Sequence, residues 1–600
     1  MSHDMIAVLD FGSQYAHLIA KRLRHLGVYT EIFSPKSHIS DLKSVKGIVL
    51  SGGPASVFAE DAPAFNQEIF SMPLPILGLC YGHQLVAQYY GGKIEDIGQG
   101  EFGKARLKTI QDSPLWEGIQ TDTQVWMSHQ DSVTKCPPDF QIIGSTSNCS
   151  NIAMQHQNLP IYTLQFHPEV QDSTQGSQIL ANFAKLCGTR HDWSMETFVQ
   201  ESIEEIQKVV GNRKVLMFLS GGVDSSVAFA LLIRALGPER ILGLFINNGF
   251  LRKNEAESIL DRYQKLGFKN IQAFDASEKF LQCVENLVDP EKKRKRVGAM
   301  FVQIRDHFLQ ELNLDPEEWM LGQGTLYPDI IESGGSEHSH TIKTHHNRED
   351  AILALMEKGH VIEPLRDLYK DEVRKVGEVL GLPESLVWRH PFPGPGLSIN
   401  VLCAHGNEKF EDSSAILENL RKVVRPQNYD VDLLTVRSVG VQGDQRTYAR
   451  PAVLTGAKDW EQLETLAIRI TNEIRAVNRV ITLLLPEKLP HLQIKKGYCT
   501  KDRLDILREA DDVITQICRE NDLMHEIFQI LVILLPLSVT GTGDCIVLRP
   551  VCSEDVMTAQ FAKIDWKLVN TAAQQIFQIP GIDAVFYDIT HKPPATFGWE

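Results

Sequence analysis

Pro75-Ile76-Leu77-Gly78-Leu79-Cys80-Tyr81-Gly82-His83-Gln84 sets an apolar run against G-x-C-x-G and then a helical segment. The pattern is a strand that bends sharply into a helix with a cysteine at the bend, a nucleophile elbow with Cys in place of Ser. The flanking glycines permit the tight turn. The helix N-terminus favours a thiolate through its dipole and its free N–H groups. Taken alone, the same residues also fit a buried structural cysteine. Short apolar runs of this kind recur at 6–9, 47–50, 161–165, 215–219 and 242–246, separated by amphipathic segments. The alternation predicts an α/β fold with two doubly wound parallel-sheet domains over the first 400 residues.

The chain has 600 residues, enough for roughly three to five folding units. Its 43% apolar and 23% charged residues are ordinary globular composition. A formal charge of −16 argues against long nucleic acid, whose binding depends on neutralising phosphates. Ten cysteines without a C-x-x-C pair favour a reducing, cytoplasmic setting. The N-terminal stretch does not read as a secretory signal. The most apolar late run, 530–539, is too short to span a membrane. Breaks in periodicity fall at 187–193, before a helix expected over 195–210, and at the HPFPGPG run 390–396. Beyond residue 400 the stretch from Ser438 to Pro451 reappears in outline from Ser538 to Pro550. This predicts a duplicated α+β C-terminal region. The expected boundaries are 1–190, 205–396, 397–490 and 491–600.

Gln165-Phe166-His167-Pro168-Glu169 places a histidine and a carboxylate two residues apart at a strand end, hence on one face. His167 can take the Cys80 proton and Glu169 can orient the imidazole. The Ser51-Gly52-Gly53-Pro54 turn, with the N–H of Tyr81, offers oxyanion donors at Gly53 and Tyr81. With these residues and the Met127-Ser128-His129-Gln130-Asp131 stretch, the first 190 residues resemble a class I glutamine amidotransferase. The resemblance implies glutamine hydrolysis through a Cys80 thioester and puts Gln84, His129 and Asp131 near bound glutamine.

The strand 215–219 runs into Ser220-Gly221-Gly222-Val223-Asp224-Ser225-Ser226 and an apolar helix. Glycine N–H groups and serine hydroxyls at a helix N-terminus suit an anion, and Asp224 suits Mg²⁺. The G-x-x-x-x-G-K-[ST] spacing is absent. The segment resembles the signature of N-type ATP pyrophosphatases, which adenylate a substrate oxygen and release pyrophosphate. Further stretches, 321–329, 342–347, 363–366, 390–396 and 587–595, resemble the glutamine-hydrolysing GMP synthetase family, and the duplicated arrangement resembles its longer form. That resemblance implies a lid containing Lys343, His345 and His346. It also implies contacts from Arg294, Arg446 and Lys592 to xanthosine 5'-monophosphate. Apart from that, the run 292–296 reads as a solvated helix face. The chain has Asn247 and Gly598 where the family usually has Asp and Glu. The implied activity consumes glutamine and ATP with Mg²⁺, needs no permanently bound organic cofactor, and uses no membrane; a homodimer is a further expectation. A different acceptor, as in NAD synthetases, would leave the C-terminal matches unexplained, and a catalytically dead scaffold would leave the intact triad unexplained.

Overall fold

The computed structural model describes residues 3–12, 15–53, 56–59, 62–311, 318–334, 360–388, 394–410, 413–442, 445–553 and 558–600. The chain divides into two compact units. One comprises Met1–Val209, Gly324–Lys358 and Glu363–Gly381; the other comprises Val210–Gln323, Gly359–Ile362 and Leu382–Glu600. Among the described residues, no helix is long and apolar enough to cross a membrane.

The first unit is built on nine strands: β1 (Met5–Leu9), β2 (Tyr29–Phe33), β3 (Val45–Leu50), β4 (Ile76–Leu79), β5 (Lys93–Thr109), β6 (Thr123–Lys135), β7 (Phe140–Ser145), β8 (Ala153–His156) and β9 (Ile161–Leu164). Their spatial order is β2-β1-β3-β4-β9-β8-β7-β5-β6. The strands from β2 to β9 are parallel, as the apolar runs predict; β8, β7, β5 and β6 extend the sheet antiparallel. Ile6 and Val8 face one core while Ala7 and Leu9 face another, so both faces are covered. That double burial explains why β1 is apolar throughout instead of alternating. The stretch Glu363–Gly381, expected from sequence to belong with 205–396, packs into this unit. Buried Arg24 anchors it, pairing with Glu372 at 3.0 Å and lying 4.9–5.4 Å from the rings of Tyr29, Trp193, Tyr327 and Tyr369.

The second unit holds a five-stranded parallel sheet: β10 (Lys214–Leu219), β11 (Ile241–Asn247), β12 (Ile271–Asp275), β13 (Trp319–Gly322) and β14 (Val361–Ile362). The order is β12-β11-β10-β13-β14, so the winding reverses at β10. Open α/β sheets bind ligands beyond the carboxyl ends of the strands at such a switch point. The 220–226 loop stands there, directly after β10.

The main sheet of the C-terminal half of this unit is made from two like pieces. Asp430–Leu433 pairs antiparallel with Ala452–Thr455, which pairs parallel with Val480–Leu485. Gln529–Leu535 pairs antiparallel with Asp544–Cys552, which pairs parallel with Ile582–Asp588. Val480–Leu485 and Ile582–Asp588 then join antiparallel, so the two pieces meet back to back. Local details repeat as well. Ser438 Oγ donates to Asn478 Oδ1 at 3.0 Å, and Ser538 Oγ donates to Asp583 Oδ2 at 2.7 Å. Asp459 and Asp565 cap the helices Trp460–Glu473 and Trp566–Phe577. The two tryptophans that open those helices stack on each other, 3.8 Å between centroids. A repeated Asp-Trp pair was thus a further sign of duplication in the sequence.

The tail after Asp588 lies against this sheet over a buried triad. Arg479 and Arg549 both pair with Asp588, at 2.7 and 2.9 Å, and all three are fully buried. The guanidinium groups also donate to the carbonyls of Thr590, Thr596, Phe597 and Gly598, which fixes the path of the tail.

Candidate active sites

Cys80 follows β4 with φ +51° and caps the helix Tyr81–Tyr89. A non-glycine residue there is strained and must be held by its surroundings. The glycines either side explain the tolerance. A Cβ on Gly78 would lie 2.6 Å from Gly82 O, and one on Gly82 would lie 2.6 Å from Leu50 O. Gly53 touches the same turn: its Cβ would fall 3.2 Å from the Tyr81 ring. The two proposed oxyanion donors are therefore neighbours.

His167 and Glu169 are buried, with His167 Nδ1 2.7 Å from Glu169 Oε1. Arg22 Nε donates to Glu169 O, Ser173 Oγ to His167 O, and His167 N to Trp126 O, which pins the segment. Burial alone would push the His167 pKa down. The charge and hydrogen bond of Glu169, with a contribution from Cys80, outweigh it and hold the value well above the ordinary one. An imidazolium held beside the sulfur is what a thiolate nucleophile requires.

Cys80 Sγ lies 3.6 Å from Ser128 O, and Gln165 Nε2 lies 3.8 Å from the sulfur. Gln84 Nε2 donates to Asp131 O at 2.8 Å. His129 Nδ1 is 3.0 Å from Asp131 O, and Ser56 Oγ donates to Asp131 Oδ2 at 2.5 Å. Gln84, His129 and Asp131 thus form one group. Sequence reasoning assigned no part to Gln165 or Ser56; Gln165 precedes His167 by two residues, a spacing that could have exposed it.

In the second unit Gly221 has φ +73°, and a Cβ there would lie 2.3 Å from Ile259 Cδ1. Gly222 caps the helix Val223–Leu236, so the backbone N–H groups of its first turn face the loop. Ser220 and Ser225 hydroxyls are 3.1 Å apart, and Gly222 N donates to Ser220 Oγ. Ser226 is buried and turned inward, bonded to Gly222 O and Tyr263 OH. Asp224 occupies the first turn.

Arg294 and Arg446 come together on Glu291: both Nη1 atoms reach its Oε1, at 2.6 and 3.2 Å. Lys592 stands on the tail with its ammonium 4.6 Å from the Phe597 ring centroid. The expected solvated face over 292–296 needs correction at Lys293, which is completely buried. Lys343, His345 and His346 lie outside the described residues, as do residues 390–393 of the proline–glycine run.

A probable glutamine-hydrolysing GMP synthase from Leptospira interrogans is 43% identical over 606 aligned residues, covering 100% of both chains. The chain belongs to the glutamine-hydrolysing GMP synthase family. Residues 7–187 match the class-I glutamine amidotransferase description, 194–329 that of NAD synthase, and 516–599 that of the GMP synthase C-terminal domain. A GMP synthase of this family from Caldicellulosiruptor saccharolyticus is 41% identical over 80% of this chain and 97% of its own length. The chain therefore carries sequence that the shorter GMP synthase lacks. The solved structure of a putative GMP synthase component from Thermoplasma acidophilum is 30% identical, with TM-score 0.28, over 35% of this chain and 99% of that one. As a GMP synthase, the protein is an ATP-using ligase with a glutamine amidotransferase part. Asn247 and Gly598, read from sequence as departures from the family's usual residues, have plain surroundings. Asn247 Oδ1 accepts from Gly249 N at 3.0 Å, and Gly598 meets Arg479 through its carbonyl at 2.9 Å.

Proposed function

We propose that Cys80, His167 and Glu169 make ammonia from glutamine and that the second unit uses it to convert xanthosine 5'-monophosphate to GMP. The observation that supports this most is the 2.7 Å His167–Glu169 pair beside a cysteine held at φ +51°. His167 takes the thiol proton, and the thiolate attacks the side-chain amide carbon of glutamine. The carbonyl oxygen becomes an oxyanion facing the N–H groups of Gly53 and Tyr81. His167 returns the proton to nitrogen as the C–N bond breaks, and ammonia leaves. Water, deprotonated by His167, then hydrolyses the thioester and frees glutamate. Gln84, His129 and Asp131 hold the glutamine.

The loop Ser220, Gly221, Gly222, Val223, Asp224, Ser225 and Ser226 cradles the ATP pyrophosphate. The acceptor's O2 attacks the α-phosphorus and pyrophosphate leaves. Ammonia then adds at C2, AMP departs with that oxygen, and a proton is lost. Adenylation is needed because a purine carbonyl oxygen is a very poor leaving group. Arg294, Arg446 and Lys592 bind the acceptor, with Lys343, His345 and His346 on the lid.

Mg²⁺ accompanies ATP in this reading. Among the described residues no three His, Cys, Asp or Glu side chains gather as a metal cage. Mg²⁺ does not need one, since it binds through one or two carboxylates together with phosphate oxygens and waters. Asp224, in the first helical turn beside the loop, fits that role. The bound ion would neutralise phosphate charge.

The division of labour follows 1–190 for the amidotransferase, 205–396 for the pyrophosphatase, and 397–490 and 491–600 for the two acceptor-side pieces. The two pieces already pair through Val480–Leu485 and Ile582–Asp588, so a homodimer must use another surface. The test is product analysis with ATP, xanthosine 5'-monophosphate, Mg²⁺ and either glutamine or ammonium. GMP, AMP and pyrophosphate are expected from both donors; no GMP from either would overturn the reading.

A further inference from the structure

Lys293 has surroundings that a solvated basic run does not provide. It lies on the helix Pro290–Glu311 with no exposed surface. A buried ammonium is costly unless it is paired and hydrogen-bonded. Its Nζ forms an ion pair with Glu600 Oε2 at 2.5 Å and donates to Ser398 O and Val401 O at 3.2 and 2.9 Å. Cys403 Sγ is 3.7 Å away. The Glu600 side chain is only 4% exposed. One ammonium thus joins three parts of the chain: the basic helix, the segment that continues the proline–glycine run, and the tail.

Two of these parts, the helix and the tail, carry residues of the proposed acceptor site. Arg294 follows Lys293 on the helix, so the two side chains leave it about 100° apart, one inward and one to the rim. Arg294 Nη2 donates to the Glu600 main-chain oxygen while its Nη1 rests on Glu291, which also holds Arg446. The tail that ends at Glu600 carries Lys592. The arginine is therefore braced by a residue whose own place depends on Lys293.

We infer that the Lys293–Glu600 ion pair positions Arg294, and with it the two-arginine seat for the acceptor's phosphate, without touching the substrate. This rests on the reading that Arg294 and Arg446 take that phosphate. Neither member of the pair is a catalytic residue. A carboxylate is required because only a charge can offset the buried ammonium, and an amide of the same shape cannot.

The test uses the full-length enzyme with ammonium as nitrogen donor, varying acceptor and ATP separately. Glu600→Gln should raise the acceptor KM about tenfold, roughly the worth of one charge-assisted hydrogen bond. The KM for ATP, kcat and glutamine hydrolysis should stay within about twofold. Glu600→Asp, which keeps the charge, should recover part of the acceptor KM. Melting temperatures are followed in parallel. A lowered melting temperature with unchanged acceptor KM would mean the pair only fastens the tail, and would overturn the inference. If Glu600→Gln does not fold, the Glu600→Asp comparison is decided by the same KM split. Arg294→Ala and Arg446→Ala separate the two claims. If they raise the acceptor KM and the Glu600 variants do not, the positioning role alone is wrong. If they leave it unchanged, the phosphate reading fails and the inference falls with it.

Discussion

Arg294 and Arg446, 152 positions apart in sequence, place their Nη1 atoms on one oxygen, Glu291 Oε1, at 2.6 and 3.2 Å. Two guanidinium groups converging on one oxygen form the proposed seat for the acceptor's phosphate, and Glu291 holds them in this structure. A phosphate arriving there must displace the carboxylate. All three side chains are at least a quarter exposed, so the exchange is modest in energy, ~0.2–1 kcal/mol for such pairs. Glu291→Gln should therefore lower the acceptor KM by roughly two- to fivefold. Steady-state kinetics with varied xanthosine 5'-monophosphate measures it. A raised KM would show that Glu291 supports the arginines and does not compete for them.

The proposed glutaminase site carries its own pH signature. Burial lowers the His167 pKa, but Glu169 and Cys80 raise it by more, so the folded value exceeds the ordinary ~6.5. A group raised on folding contributes stability that is complete below about pH 6.5 and is lost as pH climbs through the folded value. Over that window the wild type should lose up to ~1.4 kcal/mol per pH unit from this group. Denaturant unfolding between pH 6 and 9 should show that slope reduced in His167→Gln. Glu169→Gln should reduce it as well, because burial is then opposed by Cys80 alone. Equal slopes in all three proteins would contradict the assignment.

Backbone crowding supplies a test with opposite outcomes at the two sites. Gly78→Ala puts a methyl 2.6 Å from Gly82 O, and main chain cannot move aside as a flexible side chain can. It should abolish most glutamine-dependent synthesis while leaving the ammonium reaction. Gly221→Ala combines φ +73° with a 2.3 Å approach to Ile259 Cδ1. It should impair ATP use with either donor and spare glutamine hydrolysis. Assays of both half-reactions on the two variants decide the matter; the same deficit in both variants would argue against separate sites.

Much of this could be read from sequence because the chemistry lies on short loops. Cys80, Gly221 and the 167–169 pair sit in short turns that residue spacing reveals, although Leu50, Ile259, Arg22 and Trp126 complete their packing. Lys293 could not be read in this way. Its partner Glu600 is 307 positions away, and the same five-residue basic run fits a solvated face equally well. The duplicated region shows both situations. Its Gly-rich turns repeat visibly, while the antiparallel joining of Val480–Leu485 to Ile582–Asp588 depends on tertiary pairing that no local pattern encodes. The packing of Glu363–Gly381 into the first unit through Arg24 is hidden for the same reason.

The Arg479–Asp588–Arg549 triad should be the costliest place to disturb. Burial pushes the Arg549 pKa down to about 10 against the opposing pull of Asp588, so the carboxylate is what keeps two buried cations tolerable. Asp588→Asn should destabilise the second unit by about 3–5 kcal/mol, the usual cost of removing one partner from a buried ion pair. Urea unfolding followed by tryptophan fluorescence reports it through the stacked Trp460 and Trp566. A loss below about 1 kcal/mol would mean the guanidinium groups are held by the tail carbonyls alone.

In the proposed reaction one chain runs two chemistries joined by ammonia, and Cys80 serves only the first. The most direct measurement is GMP formation by Cys80→Ala with ATP and xanthosine 5'-monophosphate, using glutamine in one reaction and ammonium in the other. The predicted result is no GMP above background from glutamine and a near wild-type rate from ammonium. Equal loss with both donors, or GMP still formed from glutamine, would show that Cys80 does not supply the ammonia.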